Sequence, residues 1–444
     1  MRFTLISTIV ATVGLGMAQL SGKVGPSTSR EDKAAKKLCN ILDHGGVASE
    51  TTDNSMAITK AWESCKEGGQ ILIPEGKFGL GKWIELSGGK GLSLNLEGII
   101  IRSGNGTAGE SMITVQKTED FEFYSASSKG AIQGYGFEFH ERNSSGPGML
   151  SLSEVTSFSI HDLALVDSPS SHLSVDRSAN GEIFNLVVHG GDRAGLNGVD
   201  VSSTNIWVHD LEVSNGDDCV AVKSPASNVL IESIFCNLSG GCAVGPSGEN
   251  TNITEIIYRN IYSQRCKHML SIKSNGGSGF FNNAIFTNFT GHTNDDAINL
   301  DSKWQSQEPA PGEGVEYDYL DFTNWAGTCK NNKVPLIHLQ CSPDILCGSL
   351  NVDSVNVWTE AGDSVSYVCE NAYGMGACMN PFAGNGRYTS TTSVTSMAPT
   401  SYAITTMPAE ITQGLGVTTS IDIPPVPTTY FPGLKPASTL LGKV

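Results

Sequence analysis

Asp217 and Asp218 stand side by side in the stretch Ser214-Asn215-Gly216-Asp217-Asp218-Cys219-Val220-Ala221-Val222-Lys223. An Asn-Gly turn signal precedes them, and a short alternating strand that ends in a lysine follows. Adjacent carboxylates raise each other's pKa, so a structural role rarely calls for both at a strand entrance. One acid kept protonated beside one ionised is what hydrolysis of a glycosidic bond requires. Taken alone, the pair reads equally as a solvated acidic turn, so the surrounding pattern has to decide.

That pattern is a repeat. A polar residue followed by an apolar one recurs at Asp162-Leu163, Asn185-Leu186, Asp210-Leu211, Ser233-Ile234, Asn260-Ile261 and Asn288-Phe289, in steps of 23, 25, 23, 27 and 28 residues. Weaker echoes follow at Asn324-Trp325 and Ser354-Val355. Short strands split by Gly, Asn and Ser turns, with a period in the twenties, predict the coils of an all-β parallel β-helix. Leucine-rich repeats share the period, but their leucine spacing is absent. Ile206, Val208, Leu211 and Val213 alternate inward, with a turn resetting the phase.

Stacking turns distant residues into neighbours. Asp217-Asp218 follow the Asp210-Leu211 landmark, the coil before holds Asp192 to Asp200, and later coils hold Gly240-Gly241-Cys242, Ser271-Ile272-Lys273, His292 and Asp295-Asp296. Convergent polar groups along one wall describe a site. Asp217, Asp218 and Asp200 are the candidate acids of that site. The chain must bend or bulge if both neighbouring acids are to face the groove. Lys273 is the expected contact for a sugar carboxylate. Lys223 is a further candidate, which a salt bridge to a neighbouring coil explains equally well. Asp295-Asp296 fit a solvated turn, and His209, His268 and His338 read as surface or stacked residues.

The remaining text bounds the molecule. Met1-Arg2, the apolar run from Phe3 to Val13 and Gly16-Met17-Ala18 read as a signal peptide over 1–18. The helix domain is expected over 19–387, and a Ser/Thr/Pro-rich tail over 388–444, laid along the solenoid or extending from it. No later run is apolar enough to span a membrane. From Glu31 to Cys65 the periodicity is helical, carried by Ala34, Ala35, Leu38, Ile41 and Leu42, then by Ala57, Ile58, Ala61 and Trp62. A cystine-tied helix there would plug the open end of the solenoid.

Eleven cysteines suit an oxidising destination. Proximity in the chain pairs Cys39 with Cys65, Cys219 with Cys236, Cys341 with Cys347 and Cys369 with Cys378, leaving Cys242, Cys266 and Cys329. Their spacings do not suit zinc. Asn105, Asn143, Asn237, Asn252 and Asn288 each open a glycosylation sequon. A net charge of −17 argues against nucleic acid as a partner and suits acidic surroundings.

The chain resembles family 28 of the glycoside hydrolases, the pectin-degrading enzymes, and within it the fungal branch acting on rhamnogalacturonan. Especially similar are Ser203-Thr204-Asn205-Ile206-Trp207-Val208-His209-Asp210, Val222-Lys223-Ser224-Pro225-Ala226 and Ile272-Lys273-Ser274-Asn275-Gly276-Gly277-Ser278-Gly279. The resemblance implies a right-handed parallel β-helix and inverting, endo-acting hydrolysis of a pectic polysaccharide, here the galacturonosyl–rhamnose links of rhamnogalacturonan. It implies no metal or other cofactor, and a secreted monomer that binds neither nucleic acid nor membrane is the expected form.

The family's Gly-Asp-Asp falls on Gly216-Asp217-Asp218, which makes Asp217 the general acid and Asp218 a partner in activating water. Its Asp-Gly-x-Asp falls on Asn197-Gly198-Val199-Asp200. An amide takes no proton, so Asn197 can orient water or substrate but cannot be the base, and Asp200 and Asp218 then share that role. The Gly-His-Gly loop of polygalacturonases appears as Gly241-Cys242-Ala243, which leaves His292 to supply the histidine. Arg-Ile-Lys appears as Ser271-Ile272-Lys273, without the bidentate clamp. These losses argue against homogalacturonan. The alternatives are a polygalacturonase or xylogalacturonan hydrolase, a calcium-dependent lyase on the same fold, or a weakly active or non-catalytic pectin-binding homologue.

Overall fold

The landmark residues explain why the chain coils. The computed structural model describes residues 20–105, 109–331, 333–381, 386–396, 398, 414–430 and 433–442. Asp162, Asn185, Asp210, Ser233, Asn260 and Asn288 all adopt the left-handed backbone conformation, with φ between 48 and 57°. Short polar side chains bear that conformation at modest cost, and one such residue turns a strand through a corner. The apolar residue that follows then points inward. Leu163, Leu186, Leu211, Ile234, Ile261 and Phe289 stack in register through successive parallel pairings, each at most 1% exposed. Asn324 and Ser354 repeat the corner, so the weak echoes are true members of the series.

Each coil therefore presents three faces. In the strand Val199–Ser214, residues 199–201 pair with 220–222 on the first face. Residues 204–209 then pair with 227–232 on the second, and 211–213 with 234–236 on the third. One apolar core runs down the centre from Cys39 to Cys378. The architecture is the parallel β-helix that the repeat predicts.

The ends differ from expectation in one respect. Helical periodicity does not persist from Glu31 to Leu42. The helix Arg30–Lys36 stops, Leu38–Asn40 forms a strand pairing in parallel with Gly69–Ile73, and Ile41–His44 closes a 3-10 turn. Leu38 and Leu42 are exposed, so the apolar pattern there never faced the core. The helix Ser55–Cys65 does act as the plug: Ile58, Ala61 and Trp62 are at most 1% exposed, and Cys39–Cys65 ties it down. All four cystines form as proximity suggests, and Cys242, Cys266 and Cys329 remain as buried thiols.

The signal-peptide segment lies outside the described residues. Beyond 388, Thr389–Thr395 adds an antiparallel strand to Ser364–Glu370 at the last coils. The chain then returns along the solenoid. Tyr430 stacks on Phe235 at 4.8 Å, the Ala437 amide bonds to Asp210 Oδ2 at 2.8 Å, and the Leu441 amide bonds to Asp162 Oδ1 at 2.9 Å.

Candidate active site

The acids occupy the turn that leads from the third face of one coil to the first face of the next. Gly216 makes that turn with φ +74°, and a Cβ there would collide with the backbone of Arg193 in the coil before. Strand resumes at Asp218–Val222. Between Asp218 and Ala221 the register against Gly241–Ala243 slips by one residue, a bulge. The bend and the bulge turn both acids outward, although adjacent strand residues ordinarily oppose one another.

The two carboxylates are held differently. Asp218 is 4% exposed, and Lys273, two coils on, gives its Nζ to both oxygens at 2.7 and 2.8 Å. Burial pushes the Asp218 carboxyl above the usual carboxylate range; Lys273 pulls it back, Asp217 and Asp200 add to the push, and the net is upward. Asp217 is half-buried and takes no lysine. Its oxygens accept backbone N–H groups instead, Oδ1 from Asp218 at 2.8 Å and Oδ2 from Gly195. It is the acid within reach of a polysaccharide.

Asp200 lies one coil earlier, level with Ala221. Its Oδ2 pairs with Lys223 Nζ at 2.7 Å, and Asn197 Nδ2 donates to its Oδ1 at 2.9 Å. Asn197 thus orients an acid. Both lysines are engaged as counterions to acids of the site: Lys223 by the neighbouring-coil bridge, and Lys273 by Asp218 with Trp304 5.2 Å from its Nζ. Along the first face, Asp200, Ala221, Ala243, Ser271, Asn299 and His338 form one column in register. Ala221, Ala243 and Ser271, the small residues of that column, are fully buried beneath the charged side chains of the site. A recess of about 530 Å³ around Pro74 and Ile99 lies on other coils, away from these acids.

His292 is not brought into this set. Register places it at the end of the third face, level with Asn237 and Gln264 and ahead of the turn. The histidine on the turn is His268. The His268 amide bonds to the Gly240 carbonyl, which sets His268 level with Gly241 and so in the column of Asp218. Its Nδ1 bonds to both oxygens of buried Asp296 at 2.9 and 2.8 Å, and Asp295 pairs with Lys330. Asp296 therefore does not belong to a solvated turn. A signal for His268 existed: it stands eight residues after Asn260, as Asp218 stands eight after Asp210 and Asp296 eight after Asn288.

The Cys219–Cys236 cystine joins the acid-bearing strand to the next coil, with the Cys242 sulfur 4.0 Å from that of Cys236. Joined in a cystine, Cys219 and Cys236 offer no thiolate to a metal beside Cys242. Of the sequons, Asn105, Asn143, Asn252 and Asn288 are exposed. Asn237 is 3% exposed, with its Oδ1 buried and unpartnered, so the folded chain cannot present it for glycosylation. That expectation is corrected. His209 is buried and stacked between Phe184 and Trp207, as its bland reading has it.

The family model described as "Glycosyl hydrolases family 28" matches residues 65–378. Rhamnogalacturonase A of Aspergillus aculeatus is 45% identical over 443 residues, covering 100% of each chain. Rhamnogalacturonase A of Emericella nidulans is 46% identical over 427 residues, covering 96% of this chain and 83% of that one. The solved endo-xylogalacturonan hydrolase of Aspergillus tubingensis superposes with a TM-score of 0.67 at 22% identity, covering 78% of this chain and 99% of that one. It supports the fold.

Proposed function

The chain belongs to family 28 of the glycosyl hydrolases, and from that premise we propose that it is an endo-hydrolase of rhamnogalacturonan, cutting galacturonosyl–rhamnose links with inversion. Asp217 protonates the departing glycosidic oxygen. Asp218 and Asp200, each braced by a lysine, activate the water that attacks from the opposite side, with Asn197 fixing Asp200. Inversion places acid and base about 6.5–9.5 Å apart. No step is assigned to His292.

One observation carries this reading: a partly exposed carboxylate without a lysine, Asp217, adjoins Asp218 and stands one coil from Asp200, each of which has one. Acid and base roles need environments that differ in this way. Names of full-length relatives support the substrate. The leader-like start and the four exposed sequons support secretion, and the protein is read as a monomer. Among the described residues no helix is long and apolar enough to cross a membrane.

The test is product analysis on defined rhamnogalacturonan oligomers, with proton NMR of the first-formed anomer. Wild type should release internal fragments with inverted configuration, and Asp217→Asn should release almost none. Strong turnover of plain polygalacturonate would sink the substrate, and no turnover of any pectin by wild type would leave a binding protein. A gain of rate in Asn197→Asp would show that the amide limits turnover.

A further inference from the structure

An anionic polymer needs cations along its groove, and the two first-face lysines beside the acids are already committed to Asp200 and Asp218. The position once filled by an arginine clamp in polygalacturonases holds Ser271. His268 remains. It continues the column of Asp218 and Gly241, two coils or roughly 10 Å beyond the acid pair. The same column carries one of the site's carboxylates, Asp218, and the His268 side chain in it is partly open to solvent.

The imidazole is built in rather than merely present. Asp296, 6% exposed, grips Nδ1 with both oxygens, while the His268 side chain keeps 27% of its surface open. A buried carboxylate behind one ring nitrogen fixes the ring's orientation. Nε2 has no protein hydrogen-bond partner among the described residues. Arg193 and Lys267 border the same run of turns, but no buried carboxylate locks either in place.

We propose that His268, held by Asp296, is a specificity-determining subsite whose open Nε2 edge contacts the carboxylate of a galacturonate further along the groove from the bond Asp217 breaks. The proposal rests on the rhamnogalacturonan reading for its substrate. Asp296 is a positioning residue: it does not touch the sugar, and it orients the ring that does.

Oligomers of rhamnogalacturonan are compared with the same oligomers after reduction of galacturonate to galactose. His268→Gln should raise KM for the native oligomer about tenfold, the loss expected for one charge-assisted hydrogen bond, with little change in kcat. For the reduced oligomer, wild type and His268→Gln should match. His268→Lys should keep the preference for the native form, and Asp296→Asn should weaken it. An equal change on both substrates, or none, would overturn the proposal. Calorimetric binding in the Asp217→Asn background separates this failure from failure of the proposed reaction. There, loss of the native-over-reduced preference on adding His268→Gln supports the subsite whether or not wild type cleaves, and an unchanged preference refutes it.

Discussion

Two regions of this molecule bring acids and cations together across coils, and they differ in what is left over. Where the second face meets the third, His161 sits between Asp162 and Glu122 at 2.8 and 3.0 Å, and His209 between Asp210 and Glu182 at 2.8 and 3.1 Å. Phe184 stacks between the two imidazoles at 4.4 and 5.1 Å. Every ring nitrogen there has a partner and a lid. At the turn onto the first face, Asp218 and Asp200 are equally well matched, but Asp217 has backbone donors alone and an open side. Charge burial by itself does not mark a site. An acid left reachable beside acids that are not reachable does.

The sharpest way to break that contrast is to exchange the effects. Asp217→Asn should cost about a thousandfold in kcat, the size of a general acid's contribution, with the thermal midpoint unchanged. His161→Phe should do the reverse: turnover per folded molecule is kept, while stability falls by about 3 kcal/mol because two buried carboxylates lose their cation. Should His161→Phe abolish kcat in folded protein, the two regions would be one machine and the distinction would be wrong.

A middle-sized effect concerns Lys273. It opposes the burial that raises Asp218, so Lys273→Met should lift that carboxyl further. The acidic limb of the rate profile should then move to higher pH, with kcat at its plateau down about tenfold. A rise in KM for native but not carboxyl-reduced oligomers, without a shifted limb, would return Lys273 to the substrate.

The smallest effect is on stability. Burial lowers the His161 and His209 pKa values, but their paired carboxylates outweigh it, and both end above the ordinary histidine value. A folded pKa above the unfolded one gives stability that is complete below about pH 6.5 and fades as pH rises through the folded value. The thermal midpoint should therefore fall from mildly acid to alkaline buffer, and less steeply in His161→Phe. A flat profile would mean that these columns are neutral.

Much of this was legible in the chain. Corners recur because a left-handed residue must be short and polar, and Asp162 through Asn288 write that requirement directly. Cystines close short loops, so neighbouring cysteines found each other. Asn215-Gly216 announced the bend that exposes the acids. What stayed hidden was reach: Lys273 and Asp218 are 55 residues apart, and a column gives their level but not where a four-carbon stem ends. Coil lengths vary, so only counting from each landmark separates His292 on the third face from His268 on the turn. Asn237 fits a sequon perfectly, yet a three-residue pattern carries no information about burial. Leu38 and Leu42 kept helical spacing in a segment that pairs as strand, where tertiary contacts override periodicity.

The returning tail has a practical meaning for anyone who would attach something to this molecule. Gly442, the last residue described, bonds to Ser128 near the early coils, and Leu441 bonds to Asp162 beside it. A tag or anchoring domain fused after it would emerge from the back of the rod, by its beginning, and leave the sugar-cutting side clear. Immobilised that way, a whole layer of molecules would present their acid-bearing turns to a pectic polysaccharide.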